Sequence, residues 1–126
     1  MRYCTRARVY CGTRSPNDYQ PVLVTDIADG TLDPLPLDPS LKLRQHSPTG
    51  FAWGYLGSGP AQLALAILLD ATGDEELAQR HYMSFKEDFV ARWPEKWLIT
   101  TTDIDAWMEF EEEVASWPIA ARQSVD

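Results

Sequence analysis

The feature that most constrains the fold is a run of apolar residues from Ala61 to Leu69, in which Gln62 is the only polar side chain. Apolar residues on every side of a helix are typical of a helix that is buried all round. The run is shorter than the about 20 residues that a membrane span requires. It therefore predicts a central core helix, with Pro60 at its first helical position and Gly73 at its C-terminal end.

An aromatic segment, Phe51-Ala52-Trp53-Gly54-Tyr55, comes before that helix. Its large and small residues alternate with period two, which predicts a strand with three aromatic side chains on one face. The opposite face, formed by Ala52 and Gly54, would allow another part of the chain to approach closely.

Between the predicted strand and helix lies the turn Gly57-Ser58-Gly59-Pro60. We expect Gly57 or Gly59 to have a positive φ, and Ser58 or Gly59 to be the N-cap of the helix. The spacing of Gly54, Gly57 and Gly59 matches neither the dinucleotide fingerprint nor the Walker loop, and no lysine follows. We interpret the segment as a structural turn, and Ser58 lacks the G-x-S-x-G surroundings of a nucleophile.

The rest of the chain predicts a small sheet. Residues 2–11 alternate and predict a half-buried strand with the arginines on one face. The other face would carry Tyr3, Thr5, Ala7, Val9 and Cys11. Residues 21–25 form a second strand antiparallel to the first, and a turn follows at Asp29-Gly30. Three prolines limit residues 32–39 to an edge strand or a loop, and residues 41–43 and 96–100 are short strands.

Two further helices complete the architecture. One begins at the acidic residues 74–76 and ends at Pro94, with an apolar stripe at i, i+4 spacing. Thr102 caps the other, which ends at Pro118. The fold class that this order predicts is α+β: a small, mainly antiparallel sheet covered on one face by three helices. We expect a single domain over residues 1–126 with a loose C-terminal tail from about residue 119.

Net charge and the N-terminal sequence argue against free nucleic acid and a membrane as partners. The chain has 126 residues, a formal net charge of −8 and a pI of about 4.6. Phosphates would be repelled, so we expect no direct binding of free nucleic acid, and a basic protein surface is the more natural target. The N-terminus lacks the apolar region of a signal peptide, and neither it nor the core run predicts a membrane segment. We therefore expect a cytoplasmic protein with reduced thiols.

Candidate metal and catalytic residues are few. Cys4, Cys11, His46 and His81 lack the paired spacing of a zinc site. Asp103 and Asp105 would point to different sides of a helix, so they would not converge as an acid–base pair. We expect no metal, no cofactor and no catalytic residue.

The layout of charge is the most informative functional signal. Residues 15–40 hold five aspartates and no base, and residues 97–126 hold seven acids against one arginine. On the last helix, one face carries four carboxylates spaced roughly 4.5–6 Å along the axis, a scale similar to that of nucleic-acid phosphates. The candidate interaction residues are Asp105, Glu109, Glu112 and Glu113 on this face, and Asp18, Asp26, Asp29 and Asp33 in the acidic loops. The alternative is a solvated face that keeps the protein soluble.

The run Gly50-Phe51-Ala52-Trp53-Gly54-Tyr55-Leu56-Gly57-Ser58-Gly59-Pro60-Ala61-Gln62-Leu63-Ala64 resembles the signature of a family of small uncharacterised proteins. Those proteins are encoded by phages, plasmids and other bacterial mobile elements. The resemblance extends over about residues 8–110 and carries no catalytic residue. It implies an inhibitor of host defence, because small acidic proteins of mobile elements often have that role.

The leading functional hypothesis is therefore a non-enzymatic inhibitor of a bacterial defence complex, of the anti-CRISPR or anti-restriction type. It would bind a basic, nucleic-acid-handling surface by steric block or by nucleic-acid mimicry. Two alternatives stay open. One is a small-ligand or nucleotide-binding protein that uses the Gly57–Gln62 turn and the neighbouring aromatic residues. The other is an accessory or oligomerisation module without a ligand.

Overall fold

A computed structural model describes residues 1–14 and 21–118. The described chain contains a four-stranded sheet, four α-helices and one short 3₁₀ helix. The strands are β1 (Arg8–Thr13), β2 (Val22–Asp26), β3 (Leu32–Pro34) and β4 (Lys96–Thr100), and the helices are α1 (Asp38–Leu43), α2 (Ser58–Thr72), α3 (Glu75–Asp88) and α4 (Thr101–Ala115), with the 3₁₀ helix at Val90–Arg92.

The sheet has the order β3-β2-β1-β4, and every neighbouring pair is antiparallel. The central strand β1 sets the register, with Tyr10 opposite both Val24 and Ile99. These three side chains are buried in the core beneath the sheet. The α+β fold class predicted from the sequence is confirmed, as is the position of residues 32–34 at an edge of the sheet.

Helix α2 is the centre of the core, as its sequence predicts. Its residues from Gly59 to Leu68 are all buried, and Leu63, Leu65 and Ile67 have no solvent exposure. The helix packs against α3 on one side and α1 on another. It ends at Gly73, which adopts the left-handed conformation with φ 66°.

Strand β1 differs from the prediction in its start and in the face it buries. It begins at Arg8 rather than Arg2, and the buried face is the one that carries Arg8, Tyr10 and Gly12. Gly12 is needed there because a Cβ would lie only 2.5 Å from the indole nitrogen of Trp97 on β4. The arginine lies on the buried face because Asp70 of α2 pairs with it.

The predicted aromatic strand at residues 51–55 is wrong, since the segment has no regular secondary structure. Trp53 is fully buried and its indole N–H donates to the carbonyl oxygen of Pro94 at 2.9 Å. Tyr55 is 52% exposed, so the aromatic side chains do not share a face. Between them Gly54 has φ 88°, a left-handed conformation that reverses the chain at this point.

Residues 41–43 form the end of helix α1 and not a strand. Pro39 suits the start of a helix, where a backbone N–H has no intrahelical partner. The buried Ser40 hydroxyl donates to the carbonyl oxygen of Leu37 and accepts from the amide of Gln62 on α2. This contact fixes the short helix to the core, and nothing within residues 38–43 alone indicates it.

The starts of the two helices in the C-terminal half follow the sequence closely, but α3 ends at Asp88, six residues before the predicted end at Pro94, and the 3₁₀ helix follows it. Asp74 is the N-cap of α3 and accepts a hydrogen bond from the backbone N–H of Leu77. The N-cap of α4 is Thr100, two residues before the predicted Thr102, and it forms a capping box with Asp103. The predicted tail from about residue 119 lies outside the described residues. No helix in the described ranges is long and apolar enough to span a membrane.

Candidate functional site

The glycine turn before α2 does not have the predicted backbone. Gly57 is the N-cap with an extended φ of −178°, and Gly59 lies in the first turn of the helix. Neither is among the glycines with positive φ. Ser58 makes no capping hydrogen bond, and the helix begins there, two residues before Pro60.

Close packing accounts for Gly59. A Cβ at this position would lie 2.6 Å from the Cβ of Ala52 and 3.3 Å from its backbone nitrogen. The loop that contains Ala52 therefore approaches α2 at a distance that only glycine allows. At Gly57 a Cβ would meet the exposed ring of Tyr55, which has room to move.

The polar end of this turn is already filled by the protein itself. Gln62 is fully buried, and its carbonyl oxygen accepts from the backbone N–H groups of His46 (2.7 Å) and Ser47 (3.0 Å). Its amide nitrogen donates to Ser40 and to the carbonyl oxygen of Arg44. All four hydrogen-bonding positions of the side chain are used, so Gln62 anchors the segment 40–47 and has none left for a ligand.

Asp105 does not lie on an exposed acidic face, and that part of the prediction is wrong. Its residue exposure is only 9%. One carboxylate oxygen accepts from the backbone N–H groups of Tyr3 (2.6 Å) and Cys4 (2.9 Å), and the other accepts from Arg2 (3.1 Å). Asp105 thus holds the N-terminal segment against α4.

The same contacts determine the protonation of this carboxyl group. Burial disfavours the charged form, but the hydrogen bonds from the backbone N–H groups of Cys4, Tyr3 and Arg2 outweigh that cost. They hold the pKa of Asp105 below its ordinary value. The carboxylate is therefore charged in the folded protein at neutral pH and acts as a structural anchor.

Glu112 also makes contacts within the protein, although it is less buried than Asp105. Its carboxylate accepts from Arg80 of α3 at 3.0 Å. The buried Nε2 of His81, which has no hydrogen-bond partner among the described residues, lies 3.5 Å from the same oxygen. Two of the four predicted helix carboxylates therefore make contacts that stabilise the fold.

The other two carboxylates of that set are exposed. Glu109 and Glu113 lie one turn apart on the solvent side of α4, and the nearest base is Arg2, 4.0 Å from Glu109, with both side chains mostly exposed. On the side of α4 toward the end of α3, the pKa of Glu111 is raised by burial and by the nearby carboxylate of Asp88. Glu111 lies about 200° around α4 from Glu109, so it is on the other side of the helix, near Asp88, whose carboxylate accepts from the indole N–H of Trp107 at 2.9 Å. We call the exposed pair Glu109 and Glu113 the acidic surface.

The aspartates of the acidic loops do not join this surface. Asp26 accepts from Arg8 (3.5 Å), and Asp29 accepts from both the backbone N–H and the hydroxyl of Thr31 in the turn before β3. These two hydrogen bonds lower the pKa of Asp29. Asp33 is exposed on β3. Asp18 lies outside the described residues.

A polar network that the sequence did not suggest lies under the sheet. Arg8 binds both oxygens of Asp70 at 2.9 and 2.7 Å, and the Tyr10 hydroxyl donates to Asp70 at 2.6 Å. Burial and the charge of Asp70 raise the pKa of Tyr10, which stays protonated. The only signal in the sequence was Asp70 itself, the first charge after an apolar run.

Asp70 of this network also lines a cleft of about 500 Å³ between α1 and α2. Its walls are mostly apolar, including Leu35, Leu43 and Leu69, and Arg6 and Lys42 lie at its edge. The volume is in the range of small-molecule sites. The carboxylate of Asp70 is already bound by Arg8 and Tyr10, so it joins α2 to β1.

The candidate metal ligands are dispersed. Cys4 is buried, where burial and the charge of Asp105 raise the pKa of its thiol to about 12, and Cys11 lies on β1. His46 contacts the hydroxyl of Tyr82 at 2.7 Å. Within residues 1–14 and 21–118, no group of three histidine, cysteine or acidic side chains is arranged to hold a metal ion.

A comparison with models of protein families finds a match over most of the chain. The model of a family of unknown function, DUF6166, matches residues 10–110. The chain belongs to this family. The DUF6166 match runs from β1 into α4, so it includes the glycine turn and most of the core and of the cleft, and it stops before Glu111 and Glu113. No curated protein and no solved structure matches the chain.

Proposed function

We propose that the protein is a non-enzymatic binding protein whose acidic surface docks on a basic, nucleic-acid-handling surface of a partner. The observation that supports this proposal is the pair of exposed carboxylates on the solvent side of α4. Glu109 and Glu113 lie one turn apart, and the ion pair from Arg2 to Glu109 is long, at 4.0 Å, with both side chains mostly exposed. Cationic side chains of a partner would pair with these two carboxylates.

The partner class in this proposal is a bacterial defence complex that handles nucleic acid, and the protein would inhibit it. The resemblance of residues 50–64 to proteins of phages and plasmids supports that choice, by association only. The mechanism follows from charge. Carboxylates would occupy Arg and Lys side chains that otherwise hold phosphates, and the net charge of −8 would steer the encounter.

The test compares two double variants with the same net charge. The first, Glu109→Gln with Glu113→Gln, neutralises the acidic surface. The control, Glu75→Gln with Glu87→Gln, neutralises exposed acids elsewhere. Asp105 is left unchanged because it is a structural anchor.

The measurement is retention of a partner captured from a bacterial lysate by the wild type, at low and high salt. We expect the first variant to lose the partner, the control to keep it, and salt or added nucleic acid to weaken wild-type binding. Equal retention by both double variants would show that the acidic surface only keeps the protein soluble.

A further inference from the structure

Among residues 1–14 and 21–118, the outward face of the sheet is partly exposed, with half-buried residues on the two inner strands and exposed residues at its edges. The side chains of Tyr10, Val24 and Ile99 point into the core, so the residues between them along each strand point away from the helices. At the two edges of this outward face, Leu98 on β4 is 64% exposed and Leu32 on β3 is 60% exposed.

Strand pairing places the outward side chains in two rows across the sheet. One row is Leu98, Cys11, Leu23 and Pro34, and the next is Thr100, Val9, Thr25 and Leu32. We call these eight residues the open sheet face. None of them is charged, although the protein carries 19 acidic residues, and the pair Thr13 and Lys96 beside the first row adds a single base.

We propose that the open sheet face is a self-association surface, on which a second copy of this chain packs sheet against sheet. An uncharged face suits a partner with the same uncharged face, because neither copy then buries an unpaired charge. The two sheets would lie about 10 Å apart with a two-fold axis between them. Glu109 and Glu113 lie on the helical side of the sheet, so the association leaves them exposed.

The size of the face predicts a weak dimer. Four strands about 4.8 Å apart, each rising about 3.3 Å per residue over about five residues, give a flat area of roughly 300 Å² per copy. Two copies would bury somewhat more than twice this area, because protruding side chains have more surface than a flat plane. That total, roughly 600 Å² or somewhat more, is smaller than the about 1,200–2,000 Å² of standard interfaces, so the complex would be weak and transient. The dimer should therefore depend on protein concentration.

Salt should strengthen this association, because it screens the repulsion between two copies that each carry a net charge of −8. Binding of a basic partner through the acidic surface should respond to salt in the opposite direction. The two proposals can therefore fail independently, and this inference does not rest on the proposed function.

Cys11 provides a direct probe of the face, because β1 is an inner strand and the thiol lies in the first row. Cys4, the only other cysteine, is buried, so a maleimide should label Cys11 selectively. In the proposed dimer the partner sheet covers Cys11. Its labelling rate should therefore fall as protein concentration rises.

The experiment combines sedimentation velocity over a wide range of concentration with maleimide labelling of Cys11. The test variant is Leu98→Lys and the matched control is Leu56→Lys, at a leucine with 68% exposure on the loop before α2. We expect the wild type and Leu56→Lys to shift toward twice the monomer mass, and Leu98→Lys to stay monomeric with rapid labelling at every concentration. Circular dichroism should show both variants folded, since both leucines are exposed.

Three results would overturn the proposal. The first is a wild type that stays monomeric and labels rapidly at all concentrations. The second is a monomer with slow labelling of Cys11, which would mean that another part of the same chain covers the face. The third is an equal effect of Leu98→Lys and Leu56→Lys, which would place the contact elsewhere.

Discussion

Asp105 shows how one side chain can have a role that its neighbours in the sequence do not suggest. By helical spacing it belongs with Glu109 and Glu112, yet it is buried and binds the backbone of residues 2–4. Its partners are about 100 residues away in the sequence, so a helical pattern cannot reveal them. Gln62 is a similar case, a polar residue in an apolar run that holds residues 40–47.

We predict that Asp105→Asn destabilises the protein by about 1–3 kcal/mol at neutral pH, because an amide N–H₂ group would face a backbone N–H. The folded-state pKa of Asp105 is lowered, so its contribution is complete above the unfolded-state pKa of about 3.9 and is lost as the pH falls through the folded-state value. The free-energy difference between wild type and variant should therefore shrink in acid.

Urea unfolding at neutral and acidic pH measures this difference, with Glu109→Gln on the same helix as the exposed control. The control should change stability by about 0.5 kcal/mol or less. A difference for Asp105→Asn that stays constant from pH 7 to well below pH 4 would contradict the assignment of the charged form as the anchor.

Among the secondary-structure elements, the N-terminal end of α2 depends on the loop that packs over it. Helical propensity alone favours alanine over glycine by about 1 kcal/mol. At Gly59 that gain is opposed by the backbone and Cβ of Ala52, which cannot move without shifting the buried Trp53.

We therefore predict that Gly59→Ala lowers the free energy of unfolding by about 1–3 kcal/mol, despite its better helix propensity. Gly57→Ala is the matched control, since a Cβ there meets only the exposed Tyr55 ring, and its cost should be below about 1 kcal/mol. Thermal or urea unfolding of both variants tests the difference. If Gly59→Ala were as stable as the wild type, the close approach of Ala52 would not be a real constraint.

On the scale of the whole molecule, the fold depends on α2, which has one sheet face and three helices around it. A domain of this size is stable by only about 5–15 kcal/mol, so a single unpaired charge at its centre is a large perturbation.

We predict that Leu65→Asp leaves the protein unfolded or aggregated, because Leu65 has no solvent exposure and no base lies beside it on α2. Leu56→Asp makes the same change at an exposed position and should leave the fold intact. Circular dichroism and size-exclusion chromatography compare the two. A native-like Leu65→Asp protein would show that α2 is not the centre of the core.

The pattern of the sequence was sufficient wherever a structure depends on neighbouring residues. The all-round apolar run fixed the buried α2, and Asp74 and the residues around Thr100 predicted the start of the later helices to within two positions. The turn at Asp29 and Gly30 is where the sequence placed it. Each of these depends on hydrogen bonds or burial within a few residues, which a local pattern records.

Only the tertiary structure decided which groups meet across the chain. The face of β1 that carries Arg8 is buried because Asp70 neutralises the arginine from another element, and residues 38–43 are helical because Gln62 holds Ser40. Two of the four predicted face residues are likewise bound to distant parts of the chain. Asp105 binds the backbone of residues 2–4, and Glu112 binds Arg80. The energy of such contacts belongs to pairs distant in sequence, so alternation and helical spacing carry no information about it.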